Sequence, residues 1–269
     1  MSNIPITLTI AGSDSGGGAG IQADLKSFSA NYTYGASVLT ALTAQNTIGV
    51  TSVHNVPTDF ITAQLDAVFS DLKVDAVKIG MLSQIPVIEA VAQSLEKYDA
   101  KNIVFDPVMV TTSGDSLIAE DAVDAIKIIL MPKVNLLTPN LHESAKLTGM
   151  PLAQNNEAMI EQAEVLIKEG AKAVLIKGGH STNDDCADLL KTKSQKTWVT
   201  AKRINTNNTH GTGCSLSSAI TSQLAYGLDM QEAVLKAKDW LTGAIASSDK
   251  LDIGEGSGPV HHFHSLWEK

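Results

Sequence analysis

Near residue 210 the chain reads Asn208-Thr209-His210-Gly211-Thr212-Gly213-Cys214 and then enters a stretch, 215–226, with the pattern of a helix. Two glycines framing Thr212 at a helix start leave backbone N–H groups without intrahelical acceptors at the positive end of the helix dipole. Such a turn binds anions compactly. It suits the terminal phosphate of a nucleotide and the charge that develops as that phosphate is transferred. Cys214 falls in the same turn, where a thiol pKa is expected to be lowered and a thiolate to be accessible.

A second glycine-rich turn, Gly12-Ser13-Asp14-Ser15-Gly16-Gly17-Gly18-Ala19-Gly20, follows a short apolar run and opens another helical pattern at about Ile21. Its glycines allow close approach of backbone to a ligand and positive φ. Gly18-x-Gly20-x-x-Ala23 nominally fits a dinucleotide fingerprint. The match starts well past the end of the apolar run, however, and no acid lies between Asp24 and Asp59, where a ribose-binding carboxylate belongs. A nicotinamide oxidoreductase is therefore disfavoured. A P-loop is excluded, because the chain contains no Gly-Lys dipeptide.

These turns need a frame. Short, almost continuously apolar runs at 6–11, 76–79, 103–105, 135–138 and 173–176 read as buried parallel strands. Helix-length amphipathic segments at 22–30, 58–72, 85–98, 119–130, 141–148 and 156–169 alternate with them. That alternation predicts a parallel sheet covered by helices on both faces. After Lys177-Gly178-Gly179 the pattern changes to paired short strands, 187–190 and 196–199, and then two successive helices, 211–226 and 230–247. With no repeat or linker-like tract, the 269 residues read as one domain. The glycine turns sit after predicted strands, on the side where open α/β sheets bind ligands.

Composition narrows the classes. Apolar residues at 43% and charged residues at 18% are ordinary for a globular chain. A formal net charge of −9 argues against nucleic acid or an anionic membrane as partner. Two cysteines, Cys186 and Cys214, give neither a disulfide framework nor a structural zinc site. No signal peptide or membrane-length apolar run is evident, so a cytoplasmic location is expected.

Several separated blocks, taken in order, carry a more specific signal. They are Thr9-Ile10-Ala11-Gly12 with Gly17-Gly18-Ala19-Gly20-Ile21-Gln22-Ala23-Asp24; Thr40-Ala41-Leu42-Thr43-Ala44-Gln45-Asn46-Thr47; Lys78-Ile79-Gly80-Met81; Asp106-Pro107-Val108-Met109; Thr138-Pro139-Asn140-x-x-Glu143; Lys177-Gly178-Gly179-His180; and Thr209-His210-Gly211-Thr212-Gly213-Cys214. Together, across residues 8–267, they resemble the hydroxymethylpyrimidine/phosphomethylpyrimidine kinases of the ribokinase-like family. The resemblance implies a three-layer α/β/α sandwich around a mainly parallel sheet. It also implies two successive ATP-dependent phosphorylations of 4-amino-5-hydroxymethyl-2-methylpyrimidine, in thiamine biosynthesis, with magnesium as cofactor and a homodimer as assembly.

The same resemblance assigns residues. Gln45 is expected to bind the ring, since a carboxamide offers a donor and an acceptor in one plane. Gly12, Asp24, Met81, Val108 and His210 complete the expected substrate pocket. Lys177, Asn140 and Thr209 are expected at the nucleotide, and Glu143 and Asp106 at magnesium. The Asn140-x-x-Glu143 spacing is equally that of a capping box, and the two roles are compatible. Gly211, Thr212, Gly213 and Cys214 are the expected catalytic turn, with a Cys214 thiolate accepting the hydroxymethyl proton in the first step. A pyridoxal kinase of the same fold is the nearest alternative, and a non-catalytic regulator should have lost one of Gly211, Gly213, Cys214, Glu143 or Lys177. The triple-histidine tail, His261-His262-Phe263-His264, reads as a packed terminal segment in preference to a metal site.

Overall fold

The computed structural model describes residues 4–109, 120–179 and 185–267. His180 and Ala119, the latter at the start of the helix expected at 119–130, lie outside the described residues.

The runs with unbroken apolar character pair with one another at the centre of a nine-stranded sheet. Strand β1 (Ile6–Asp14) lies between β2 (Tyr34–Gln45) and β4 (Ala76–Ile79), both parallel to it. Strands β5 (Ile103–Phe105), β6 (Leu136–Leu137) and β7 (Ala173–Ile176) continue the parallel order. Antiparallel strands finish both edges: β3 (Val50–Asn55) beside β2, and β8 (Asp185–Thr192) with β9 (Lys196–Lys202) beyond β7.

Alternate side chains of these strands go to opposite faces. Leu8, Ile10, Val77 and Ile79 pack with Ile61 and Leu65 of α2 (Thr58–Asp71), Ile88 and Val91 of α3 (Ile85–Lys97), and Leu166 of α6 (Asn156–Lys168). Val104, Leu136, Leu175 and Leu190 pack on the other face with Leu216 and Ile220 of α7 (Thr212–Ala225) and Leu241 of α8 (Met230–Ala246). Two helix layers and one sheet give the expected sandwich. Burying a side chain of this size stabilises by roughly 1.5–3 kcal/mol, so both faces contribute substantially.

Three local departures matter. Strands β2 and β3 are absent from the sequence expectation. β2 is only partly buried and mixes Thr, Ser, Ala and Gly with its apolar residues, so it lacks the continuous apolar signature of the central strands. Its register against β1 shifts between Ala11 and Ser13, at Gly12. The expected helix at 119–130 is instead a short helix α4 (Glu120–Ala125) running into a π-helical turn, Ile126–Leu130. Helix α1 (Gly20–Ala30) opens at the last residue of the first glycine turn, one residue ahead of the expected start at about Ile21.

Candidate active site

The C-terminal ends of β1, β2, β4, β5 and β7 converge on the N-terminus of α7. Gly211 starts that helix at φ +75°, and its N-terminus has no side-chain cap. A Cβ at Gly211 would overlap the carbonyl oxygen of Gly18, so the two glycine turns touch backbone to backbone at this point. Only glycine combines that contact with that φ. Thr212 turns its N–H (3.3 Å) and its hydroxyl (2.6 Å) back to the Thr209 carbonyl. The following first-turn amides, of Gly213 and Cys214, have no intrahelical acceptor to use.

Against Gly213 stands the Lys177 ammonium, whose Nζ would lie 3.2 Å from a Cβ placed there; Asp106 Oδ2 would lie 3.4 Å away. Lys177 follows β7 and reaches Asp106 Oδ1 at 2.6 Å and Glu143 Oε2 at 4.0 Å. Burial opposes the lysine's charge, but the attraction of Asp106 and Glu143 outweighs it and raises its pKa. Glu143 belongs to the first turn of α5 (Leu141–Thr148). It closes a full capping box: its N–H donates to Asn140 Oδ1 (2.9 Å), and the Asn140 N–H donates to its Oε2 (2.7 Å). Burial and the nearby Asp106 carboxylate, opposed by Lys177, push the Glu143 carboxyl up to about 7. The expected nucleotide and metal residues Lys177, Asn140, Glu143 and Asp106 therefore form one cluster beside the α7 amides.

Gln45 ends β2 within the same region. Its Nε2 lies 3.3 Å from His210 Nε2, and its Oε1 accepts from Thr43 Oγ1 at 3.0 Å. A cavity of about 410 Å³ opens beside Gln45 and His210, walled by the β2–β3 turn and the segment around Gly256. Gly12 and Met81 meet below: a Cβ at Gly12 would lie 2.8 Å from Met81 Cε, so the thioether occupies the space a side chain would fill. Val108, just past β5, is half-buried and donates its N–H to Asp106 O at 2.8 Å.

Two expectations need correction. Asp24 does not reach a pocket. It is fully buried, its Oδ2 held by Lys78 Nζ (2.8 Å) and Thr9 Oγ1 (2.6 Å), and its Oδ1 by Ser218 Oγ (2.7 Å). Nor is the Cys214 thiol acidified by its helix. Burial pushes it up to about 11; the attraction of Lys78 and the Gly20 N–H on its sulfur do not overcome burial and the Asp24 and Asp106 carboxylates. At pH 7 such a thiol is ionised in roughly one molecule in ten thousand. The helix-terminus rule applies to a solvated thiol whose field is set by the helix alone, and here burial, with two carboxylates added to it, opposes the helix.

Residues 14–261 match the family model described as phosphomethylpyrimidine kinase. The chain belongs to that family. It is 53% identical over 263 residues to the hydroxymethylpyrimidine/phosphomethylpyrimidine kinase of Rhizobium meliloti, covering 98% of both chains. Among solved structures it is similar to Bacillus subtilis pyridoxal kinase in an ADP complex, with a TM-score of 0.92, 36% identity and coverage of 99% and 100%. It is also similar to the phosphomethylpyrimidine kinase of Clostridium difficile 630, with a TM-score of 0.80, 44% identity and coverage of 90% and 99%. The fold is thus common to both kinds of kinase, while sequence identity is higher to the phosphomethylpyrimidine kinases. The chain is a phosphotransferase of that family.

At this candidate site two residues escaped the sequence reading. Lys78 is a cation in the middle of a four-residue buried strand, and that placement was its signal. Asp14 holds the first glycine turn: its carboxylate accepts from the N–H groups of Gly16 (2.8 Å), Gly18 (3.0 Å) and Ala19 (2.8 Å) and from His210 Nε2 (2.9 Å). Burial opposes its charge, but these bonds, led by His210, hold its pKa below the usual carboxylate value. Amides of the first turn are spent on this aspartate, which leaves the α7 turn as the candidate anion site. The tail histidines pack internally, with His262 Nε2 3.0 Å from Ser215 Oγ and His261 edge-on to Trp267. Among the described residues no group of three His, Cys, Asp or Glu is placed to hold a metal, and no helix is long and apolar enough to cross a membrane.

Proposed function

We propose that this protein uses ATP to phosphorylate 4-amino-5-hydroxymethyl-2-methylpyrimidine and then phosphorylates the monophosphate to the diphosphate, supplying thiamine biosynthesis. The observation that carries the reading is the meeting of the uncapped α7 N-terminus with Lys177 at Gly213, opposite Gln45. Phosphoryl transfer asks little covalent chemistry of a protein and much positioning and charge stabilisation. The Gly211, Thr212, Gly213 and Cys214 turn cradles the moving phosphoryl group, Lys177 neutralises phosphate charge, and Thr209 and Asn140 border the nucleotide. Gln45, Gly12, Met81, Val108 and His210 hold the acceptor ring.

Asp106 and Glu143 fit magnesium in its ordinary mode of one or two carboxylates, with phosphate and water completing the shell. Burial, with Asp106 adding to it, lifts Glu143 to about 7, and a cation there would favour its ionised form. Bound magnesium would supply neutralisation of the phosphate oxygens. With the Cys214 pKa raised, charge in the cradle, not a standing thiolate, would activate the hydroxyl. In the second step the nucleophile is already an anionic phosphate and needs no base.

A cytoplasmic homodimer completes the proposal. Leu42, Ile48, Val53 and Phe60 are exposed around the β3 edge, an apolar surface suited to a second copy. Pyridoxal kinase is the second reading, favoured by the likeness to the Bacillus subtilis structure. Incubation with ATP, magnesium and the hydroxymethylpyrimidine should give both mono- and diphosphate by product chromatography. A strong preference for pyridoxal in a parallel incubation replaces the first reading by the second.

A further inference from the structure

The antiparallel ladder between β7 and β8 runs from Ala173 opposite Thr192 to Ile176 opposite Leu189. Continued pairing would set Lys177 opposite Asp188 and Gly178 opposite Ala187. The Lys177 N–H instead donates to the Pro139 carbonyl at 2.8 Å. The Gly178 N–H donates at 2.9 Å to Asp188 Oδ1, a side chain in place of a strand carbonyl. Gly178 has no room for a side chain of its own, since a Cβ would overlap the Ala187 carbonyl oxygen. Leu175 and Leu190 pack on the face covered by α7 and α8, and Lys177 and Asp188, two residues on along each chain, go to the same face. There the other oxygen of the buried Asp188 carboxylate, Oδ2, is taken by Lys238 Nζ of α8 at 2.6 Å.

We infer that Asp188 is a positioning residue for the nucleotide: through the Gly178 N–H it holds the turn that aims the Lys177 ammonium at Gly213. This inference rests on the proposed function, which sets Lys177 at the phosphates. A lysine ammonium rides on a flexible four-carbon stem, so it is placed only as well as the backbone beneath it. Two bonds bracket that backbone, one from Lys177 to Pro139 and one from Gly178 to Asp188. Lys238 keeps the second oxygen of Asp188 occupied, and the Lys177 ammonium goes to Asp106 and Glu143. Asp188 thus acts on the nucleotide side of the site and makes no bond to Gln45 or His210, at the acceptor side.

The test compares Asp188→Asn with Asp188→Leu, each combined with Lys238→Met. Removing both charges leaves neither one buried and unpaired. With the ammonium gone, nothing competes with the Gly178 N–H for the single asparagine oxygen, while leucine has nearly the same shape and no acceptor. The KM for ATP should rise about tenfold in the leucine double variant, the scale of one weakened hydrogen bond to a charged group. In the asparagine double variant it should stay within about twofold of wild type. The KM for the hydroxymethylpyrimidine, read at saturating ATP, should stay within about twofold in both. Asp188→Val in the same background, a residue suited to strands, should show the same ATP-only rise even if the leucine variant folds poorly. Equal ATP KM values in the asparagine and leucine or valine variants, or an acceptor KM that rises in step with that of ATP, overturn the inference alone. An ATP KM left unchanged by Lys177→Met overturns the proposed role of Lys177 together with the inference.

Discussion

Replacing Lys78 with methionine would remove the cation from a pair with no solvent access at either side chain. Asp24 would keep Thr9 on Oδ2 and Ser218 on Oδ1, two hydroxyl donors for a fully buried carboxylate. Breaking one partner out of a buried pair costs about 3–5 kcal/mol. The two surviving bonds place this case near the lower end, at about 3 kcal/mol. Against a total stability on the order of 5–15 kcal/mol, that is a large share. With a urea m-value of about 3 kcal/mol/M, the unfolding midpoint should drop by about 1 M. The double variant Lys78→Met with Asp24→Asn removes both charges and should recover more than half of the loss. Burial opposes the Lys78 charge, but Asp24, Cys214 and Asp106 raise its pKa above the ordinary lysine value. A raised lysine contributes stability that is complete below its unfolded pKa and is lost only as pH climbs through the folded one. The gap between wild type and Lys78→Met should therefore be flat from about pH 6 to 9. A single-variant cost below about 1 kcal/mol, or additive costs in the double variant, would refute this account of the pair.

Other perturbations probe the cradle and the carboxylates. Gly211→Ala should lower kcat at least about a hundredfold while circular dichroism changes little, because a side chain there collides with Gly18 and parts the two turns. Alkylation of Cys214 by iodoacetamide should still be accelerating at pH 9.5, as a pKa of about 11 requires; a plateau by about pH 8 would show an acidified thiol. Cys214→Ala should then slow the two phosphorylations by similar factors, measured with each acceptor separately. For Glu143, raised from 4.5 to about 7, the folded state holds the proton more tightly than the unfolded chain. Its contribution to stability is present below about 4.5 and is lost as pH rises through about 7. Binding of magnesium with ATP should release a proton near pH 7, seen as a calorimetric enthalpy that varies with the buffer's ionisation heat; Glu143→Gln should abolish that variation.

Much of the frame was legible because buried parallel strands leave little choice of residue. Ala76–Ile79, Ile103–Phe105 and Ala173–Ile176 are read from sequence at their observed bounds. The Asn140–Glu143 box was equally legible, since its spacing names both hydrogen bonds. Strand β2 was not, because a half-exposed strand rich in Thr, Ser and Ala carries no continuous apolar run. The buried role of Asp24 was hidden for a different reason. Its partner Lys78 is 54 residues away, and Ser218 is 194 away, so no local pattern could separate a paired carboxylate from a solvated one. The high pKa of Cys214 has a related origin: burial first, then the Asp24 and Asp106 carboxylates, all supplied by the tertiary fold.

The bond from His210 to Asp14 joins residues 196 positions apart, and Gly211 seats against Gly18 across a similar span. A nascent chain therefore carries its first turn through most of synthesis with nothing to close upon. Only when α7 has emerged and docked do the two glycine turns meet. Truncated products that stop before α7 should consume no ATP, so the proposed cradle is assembled late in synthesis.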